Sequence, residues 1–325
     1  MTVRAHPLPD PEAIFGNGLR SISSKRGRIA IPLLLFRATE TDGIWTRVDT
    51  GRSNGSCSED PAMATSRPNQ EGSSRPKVVV VMPAYNAAKT LKMTYEAIPE
   101  RTVDQVILVD DGSTDQTLEI ARELNLTAFM HTRNFGYGAN QKTCYTEALK
   151  EGADIVVMLH PDYQYDPALL PEVIAPIKAG EADIVLGSRF MGRSTVEQGM
   201  PWWKFLGNKF LTKLENWTLG LSLSEYHTGY RAFSRRVLEE VPFSLNSDKF
   251  VFDQEMLVQA AHLGFRIKEV PVPTKYFPDA SSASFVASVI YGLSILLLLS
   301  RYAAHRISLI SLRQFQSFQS RYRKV

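Results

Sequence analysis

The strongest constraint on this chain is a series of short, uninterrupted apolar runs, each closed by a polar loop. Val78-Val79-Val80-Val81-Met82, Val106-Ile107-Leu108-Val109 and Ile155-Val156-Val157-Met158-Leu159 contain no charge. Strands buried on both faces read this way, because helices cover both sides of a parallel sheet. Helical segments are expected over about 87–98, from Ser113 or Thr114 to about Leu124, from near Gly138 to about Lys150, and from Pro167 to about Ala179. Further short strands are expected at 127–130 and 183–186. The alternation predicts an α/β fold, a mostly parallel sheet flanked by helices, with right-handed crossovers. It also places consecutive polar loops on one rim, where open α/β sheets bind their ligands.

A chain of 325 residues holds one large domain or two ordinary ones. The net charge of +3 is too mild for phosphate-backbone binding, and no basic tract interleaved with aromatics marks a nucleic-acid surface. Cys57 and Cys144 lie far apart, which points to a reducing compartment without a disulfide framework. No secretory signal pattern is visible at the N-terminus, so a cytoplasmic location is expected. Residues 1–76 are rich in Ser, Gly, Arg, Pro and Asn and are expected to be a disordered extension; residues 77–275 form the expected folded domain, and 276–325 an apolar, basic tail.

Each rim loop carries candidate chemistry. The first strand ends in Pro83-Ala84-Tyr85-Asn86, where Tyr85 can stack on a base and Asn86 can fix a turn or a base edge. The second ends in Asp110-Asp111, which either start the next helix or accept bonds from a base edge or ribose. In the third loop Arg133, Gly136 and Gly138 suggest close approach of an anion to a helix start, with Lys142 one turn on. The fourth loop, His160 to Pro167, sets Asp162, Gln164 and Asp166 at alternate positions. Oxygen ligands so spaced suit Mg²⁺ or Mn²⁺ carrying a diphosphate; a polar turn whose Asp166-Pro167 pair starts a helix is the competing account. Arg189 ends the fifth strand with a fork suited to phosphate. Asp253 and Glu255 open a later helix, as dipole complements or as a general base.

Taken together and in order, VVVVMPAYNAAKTL, VDDGSTDQT, RNFGYGANQKT, LHPDYQYDP, LGSRF and HTGYRAF resemble the family 2 glycosyltransferases of the GT-A fold. The likeness covers about residues 77–275 and runs closest to the branch of dolichyl-phosphate mannose synthase and related polyprenyl-phosphate glycosyltransferases. It implies an inverting transferase that uses a nucleotide-diphosphate sugar and Mg²⁺ or Mn²⁺. Carried over, the resemblance makes Pro83, Tyr85 and Asn86 the nucleoside-side loop, Asp111 the base contact, and Asp110 its neighbour. Gly138 belongs to the donor side. Its metal motif falls on His160-Pro161-Asp162: the second aspartate is Asp162, Gln164 matches a further position, and His160 replaces the first aspartate. His160 then ligates a softer ion, bonds the ribose, or is a turn residue. Arg189 matches the arginine that grips lipid phosphate, Lys204 and Asn208 fall near an acceptor-side cation and small polar group, and His227 to Arg231, with Gly229, resembles the acceptor loop.

In the tail, Phe285 to Leu299 is apolar without charge, and Arg301, His305 and Arg306 follow. A helix packed on the domain, an interfacial membrane helix and a transmembrane segment compete for this stretch. Peripheral membrane contact would suit a lipid-phosphate acceptor, and a cell-envelope glycan is the other acceptor class. The function expected is glycosyl transfer to such an acceptor; the competing one is a nucleotide-sugar or glycan-binding protein that lost turnover, motivated by His160.

Overall fold

The computed structural model describes residues 46–47, 75–191, 200–273 and 284–316. Of the expected extension 1–76, only Thr46–Arg47 and residues 75–76 fall within this set. Strands are β1 Thr46–Arg47, β2 Val78–Ala84, β3 Gln105–Asp110, β4 Thr127–Met130, β5 Ile155–Met158, β6 Ile184–Ser188, β7 Arg231–Ser234 and β8 Ile267–Pro271. The helices are α1 Leu91–Glu96, α2 Thr117–Glu123, α3 Tyr137–Lys150, α4 Leu170–Lys178, α5 Trp202–Leu219, α6 Arg235–Glu240, α7 Phe252–His262 and α8 Phe285–Arg306.

The strands form one sheet in the order β1-β4-β3-β2-β5-β7-β6-β8. β2 pairs in parallel with β3 on one side and β5 on the other. The chain runs outward from β2 through β3 to β4, then returns across β2 to lay down β5. This reversal is a topological switch point, flanked by the loops after β2 and β5, the place where open α/β sheets bind their ligands. Pro83 lies past Val81, the last β2 residue paired with β5, where a missing N–H is tolerated.

Alternation along β2 assigns its side chains to two cores. Val79 and Val81 join Ile107, Tyr145, Phe233 and Met256 on one face. Val78, Val80 and Met82 join Leu91, Leu108 and Val173 on the other. All five of these β2 residues are fully enclosed, as the unbroken apolar run predicts.

Two elements depart from simple alternation. β7, read from sequence as part of an acceptor loop, is a strand antiparallel to both β5 and β6, so β6 does not neighbour β5. The second is α5, 18 residues long, which carries Lys204 and Asn208 on a helix. It packs with α7 and α8 around a third core of Val258, Ile295, Leu298, Leu299, Tyr302 and Phe315.

Candidate active site

At the end of β2, Tyr85 is exposed and Asn86 adopts φ 52°. Asn86 ties the first two loops: its N–H donates to Ser113 Oγ (2.8 Å) and its Oδ1 accepts from Thr114 N–H (2.9 Å). Tyr85 is left as an aromatic face at the switch point. Both aspartates after β3 are enclosed. Asp110 accepts from the Ser113 N–H (2.9 Å) and from the Ser113 hydroxyl. Asp111 accepts from the N–H groups of Phe135 and Gly136, each at 2.9 Å, and sits 2.6 Å from His131 Nδ1. Its carboxylate therefore shapes the loop before α3.

The start of α3, where an anion site is expected, bonds to the loop before α7. The Gly138 N–H donates to the Asp248 carbonyl at 2.8 Å. A side chain at Gly138 would strike the Ser247 carbonyl and the Phe252 Cβ, so this glycine serves close packing of α3 against the loop before α7. Lys142 is drawn to that loop too, bonding the Asn246 carbonyl and the Asp248 carboxylate.

The loop after β5 delivers the next group. Asp162 Oδ1 accepts from the Gln164 N–H (3.1 Å) across a turn in which Tyr163 has φ 55°. Asp166 caps the 3-10 turn Pro167–Leu169 through Ala168 N–H at 3.1 Å, so it starts a helix. His160 stacks on Tyr137, with ring centroids 5.5 Å apart and 15° between planes. The Tyr137 hydroxyl donates to Asp253 Oδ2 (2.7 Å), which leaves His160 Nε2, 3.2 Å away, as the donor to Tyr137 Oη. Burial, reinforced by the Asp253 carboxylate, pushes the Tyr137 hydroxyl well above its ordinary value and keeps that proton in place. A Cβ at Gly229 would lie 2.8 Å from His160 Cδ2; glycine is what lets the imidazole lie against this loop.

Among the described residues, no three His, Cys, Asp or Glu side chains gather as a metal-holding cluster. The donor set is instead one carboxylate, Asp162, with the amide oxygen of Gln164 close in sequence. That set fits a hard cation brought with a diphosphate, since Mg²⁺ is commonly held by one or two carboxylates plus substrate phosphates.

Asp253 and Glu255, equivalent as candidate bases in the sequence, separate in space. Asp253 lines a cavity with Tyr137, Arg231, Gly229 and Tyr291. Its carboxylate lies 3.7 Å from Arg231 Nη2. Arg231 is fully enclosed and donates to the carbonyls of Thr228, Asp253 and Tyr226, so it braces the loop and does not reach outward. Glu255 faces away, accepting from Ser247 N–H (2.6 Å) and Gln314 Nε2 (2.8 Å), and burial raises its carboxyl above the usual value.

A second, more apolar cavity of about 480 Å³ adjoins the first, sharing His227, Ser288 and Tyr291 with it. Its walls are α5 and α8, with Leu211, Leu293 and Leu296 among the lining residues, and its polar end holds Arg189, Lys204, Asn208 and His227. Arg189 is gripped by the fully buried Glu225: its N–H reaches Oε2 and its Nε reaches Oε1, each at 2.8 Å, while Nη2 also meets the His227 carbonyl (2.8 Å). Glu225 also receives Asn208 Nδ2 at 3.1 Å. Desolvation, and then repulsion from Arg189, lower the Lys204 ammonium below the ordinary lysine value. The supporting partners Tyr137, Glu225 and His131 were not singled out in the sequence. Glu225 stands two residues before His227 and is a lone acidic side chain in an apolar, polar-uncharged stretch, which was the available signal.

Comparisons with known proteins agree with this architecture. Residues 79–242 match "Glycosyl transferase family 2". An uncharacterised protein of Methanocaldococcus jannaschii is 30% identical over 220 residues, 68% of this chain and 89% of that one. The polyprenol monophosphomannose synthase of Mycolicibacterium smegmatis is 31% identical over 225 residues, 66% of this chain and 80% of the relative. The UDP-N-acetylglucosamine--dolichyl-phosphate N-acetylglucosaminyltransferase of Methanococcus voltae is 30% identical over 216 residues, 61% and 86% of the two chains. The fold is similar to glucosyl-3-phosphoglycerate synthase from Mycobacterium tuberculosis solved with Mn²⁺, UDP-glucose and phosphoglyceric acid, with TM-score 0.55, 21% identity, and 70% and 80% coverage. With its topological switch point on a GT-A-like sheet, this chain is a glycosyltransferase belonging to glycosyl transferase family 2.

Proposed function

We propose that the protein transfers a sugar, with inversion, from a nucleotide-diphosphate sugar at the β2 and β5 loops to the phosphate headgroup of a polyprenyl lipid. The observation that carries this reading is the apolar cavity between α5 and α8, whose polar end meets the Asp253 cavity at His227. An isoprenoid chain needs apolar walls; its headgroup needs cations at one end, and the donor must lie beyond them. The lipid-linked relatives favour the same acceptor class.

In this reading Tyr85 stacks on the base and Asn86 holds the loop that presents it. Asp162, with Gln164, would hold Mg²⁺ or Mn²⁺, which when bound stabilises charge growing on the departing diphosphate. An acceptor phosphate is largely ionised at neutral pH and attacks without a base. Its oxygen forms a bond to the anomeric carbon from one face while the carbon–oxygen bond to the diphosphate breaks on the other, and the electron pair leaves with the nucleoside diphosphate. Lys204 and Arg189 orient the incoming headgroup, a matter of positioning and electrostatics. Asp253 is not required as a base for this acceptor, and its bonds to Tyr137 and Arg231 fit a bracing role.

The acceptor also argues for membrane contact. On α8, Val286, Ile290, Leu293 and Leu297 are exposed, and on α5 so are Trp202, Leu206, Phe210 and Trp217. α8 is long and apolar enough to cross a membrane, yet Ile295, Leu298, Leu299 and Tyr302 pack along the domain. A helix held lengthwise against a folded domain fits a position in the interfacial plane, at the cytoplasmic face, with its apolar side toward the acyl region.

The test is transfer of labelled sugar from a panel of nucleotide-diphosphate sugars to polyprenyl phosphate in detergent with Mn²⁺. Wild type should form an alkali-stable or acid-labile lipid product, and Asp162→Ala should lose at least about 100-fold, the scale of a lost electrostatic contact to the leaving group. Absence of lipid-linked product with every donor, or equal turnover by Asp162→Ala, would sink the reading.

A further inference from the structure

Where the two cavities meet, the chain has buried a carboxylate that the reaction above does not use. Glu215, on α5, is fully enclosed. Its Oε2 lies 3.1 Å from His227 Nε2, yet the contact is off the line of a good hydrogen bond, and among the described residues neither oxygen has another hydrogen-bond donor. An ionised carboxylate buried without a counter-charge costs several kcal/mol, so the state of His227 decides whether this arrangement is tolerable.

The opposite side of the ring settles half of that state. His227 Nδ1 lies 3.1 Å from Asn208 Oδ1. The orientation of that amide is fixed by Glu225, which can only accept: Asn208 Nδ2 donates to Glu225 Oε1 at 3.1 Å, and Oδ1 is turned toward His227 and the Thr212 hydroxyl. His227 Nδ1 must then carry a hydrogen. With Nδ1 protonated, a neutral ring would aim the Nε2 lone pair at the Glu215 carboxylate. A second proton on the Nε2 side removes that repulsion and supplies the missing counter-charge.

We propose that Glu215 and His227 form a buried proton-holding pair that presents His227 as an imidazolium to the acceptor's phosphate, making His227 a positioning residue for the headgroup. The acceptor class rests on the function proposed above; the proton does not. Glu225 pairs with Arg189, and a neutral His227 would leave Glu215 as an uncompensated negative charge beside the headgroup end. The imidazolium cancels that charge at the point shared by both cavities and leaves Lys204 as the net cation there. The groups facing the ring are Glu215 from α5, the Arg189 guanidinium on the His227 carbonyl, and Tyr291 of α8, edge-on at 5.7 Å. Lys204 and Asp253 line the adjoining walls.

The proton is read directly in full-length protein labelled with ¹⁵N-histidine, using two-bond ¹H–¹⁵N spectra and assigning His227 by its absence from His227→Asn. Both ring nitrogens of His227 should be protonated at neutral pH in wild type, and Nε2 should lose its proton in the near-isosteric Glu215→Gln. A neutral His227 in wild type overturns the proposal whether or not the variant folds. Titration with geranyl phosphate should move the His227 signals, and Glu215→Gln should weaken that binding by about tenfold or more while leaving nucleoside diphosphate affinity unchanged. Equal geranyl phosphate affinity in the variant, or no response of His227, overturns it. Inorganic phosphate binding as tightly as geranyl phosphate would assign the site to a free anion and overturn the headgroup role. A His227 response without any sugar transfer to geranyl phosphate counts against the transfer reading and leaves this assignment supported.

Discussion

At the level of single residues, the site is organised by carboxylates that brace its loops. Asp110, Asp111, Glu225 and Glu255 all spend their oxygens on neighbouring loops. A buried carboxylate that accepts several N–H bonds fixes a loop more tightly than a neutral acceptor would. Lys204 is different, because its ammonium is disfavoured by desolvation and by Arg189. A lowered lysine value means that charge is lost at lower pH than for an ordinary lysine, and an arriving phosphate must raise it again. With Lys204 on the acceptor phosphate as proposed, the acceptor KM should rise as pH increases through the alkaline range. Arginine stays charged over that range, so Lys204→Arg should flatten the profile; identical profiles for the two enzymes would count against a headgroup contact by Lys204.

At the level of elements, the two faces of α8 differ: one fills the third core, and the other, exposed, is the face proposed to meet a membrane. The stripe Ile295, Leu298, Leu299 and Tyr302 recurs at helical spacing and fills the third core. Leu298→Ala should cost about 2–5 kcal/mol of unfolding free energy, the range for emptying a buried leucine site, measured by urea titration. On the other face Leu293 is 60% exposed. Leu293→Gln should leave the urea midpoint nearly unchanged and reduce co-sedimentation with vesicles containing anionic lipid. Undiminished vesicle binding would remove α8 from the membrane interface. α5 contributes Lys204, Asn208 and Glu215 from one helix while its Trp202, Leu206 and Phe210 are exposed, so it joins the exposed apolar surface to the polar end of the cavity.

At the level of the whole molecule, the donor binding proposed at the β2 and β5 loops would couple ligand to fold. A ligand that binds only the native state stabilises it, by about 2.7 kcal/mol at a concentration one hundred times its Kd. Because Asp162 and Gln164 offer a cation few protein ligands, the metal should arrive with the diphosphate. Chelation should therefore leave the melting temperature of the free protein unchanged, yet abolish most of the upward shift produced by the cognate nucleoside diphosphate. A fall in the melting temperature of the free protein on chelation would instead identify a resident structural metal.

The parallel strands, their order along the chain and the polar rim were legible in the sequence, because a strand buried on both faces must be apolar throughout and its ends must turn polar. β4 falls at 127–130 as expected, and Asp166 caps the turn at Pro167. Other features depend on which distant groups meet. That Phe135, Gly136 and His131 gather around Asp111, and that α7 turns Asp253 toward Tyr137 and Glu255 toward Gln314, is not written in the local sequence. The antiparallel insertion of β7 was hidden for the same reason, since Arg231-Ala232-Phe233-Ser234 is too short to declare its partners. By itself the sequence determined the layered α/β sheet and the loops that form its active rim, through local burial patterns. Tertiary structure alone decided which distant groups each buried carboxylate braces, and that Glu215 would lie against His227, because a buried charge is defined by neighbours that the chain brings from elsewhere.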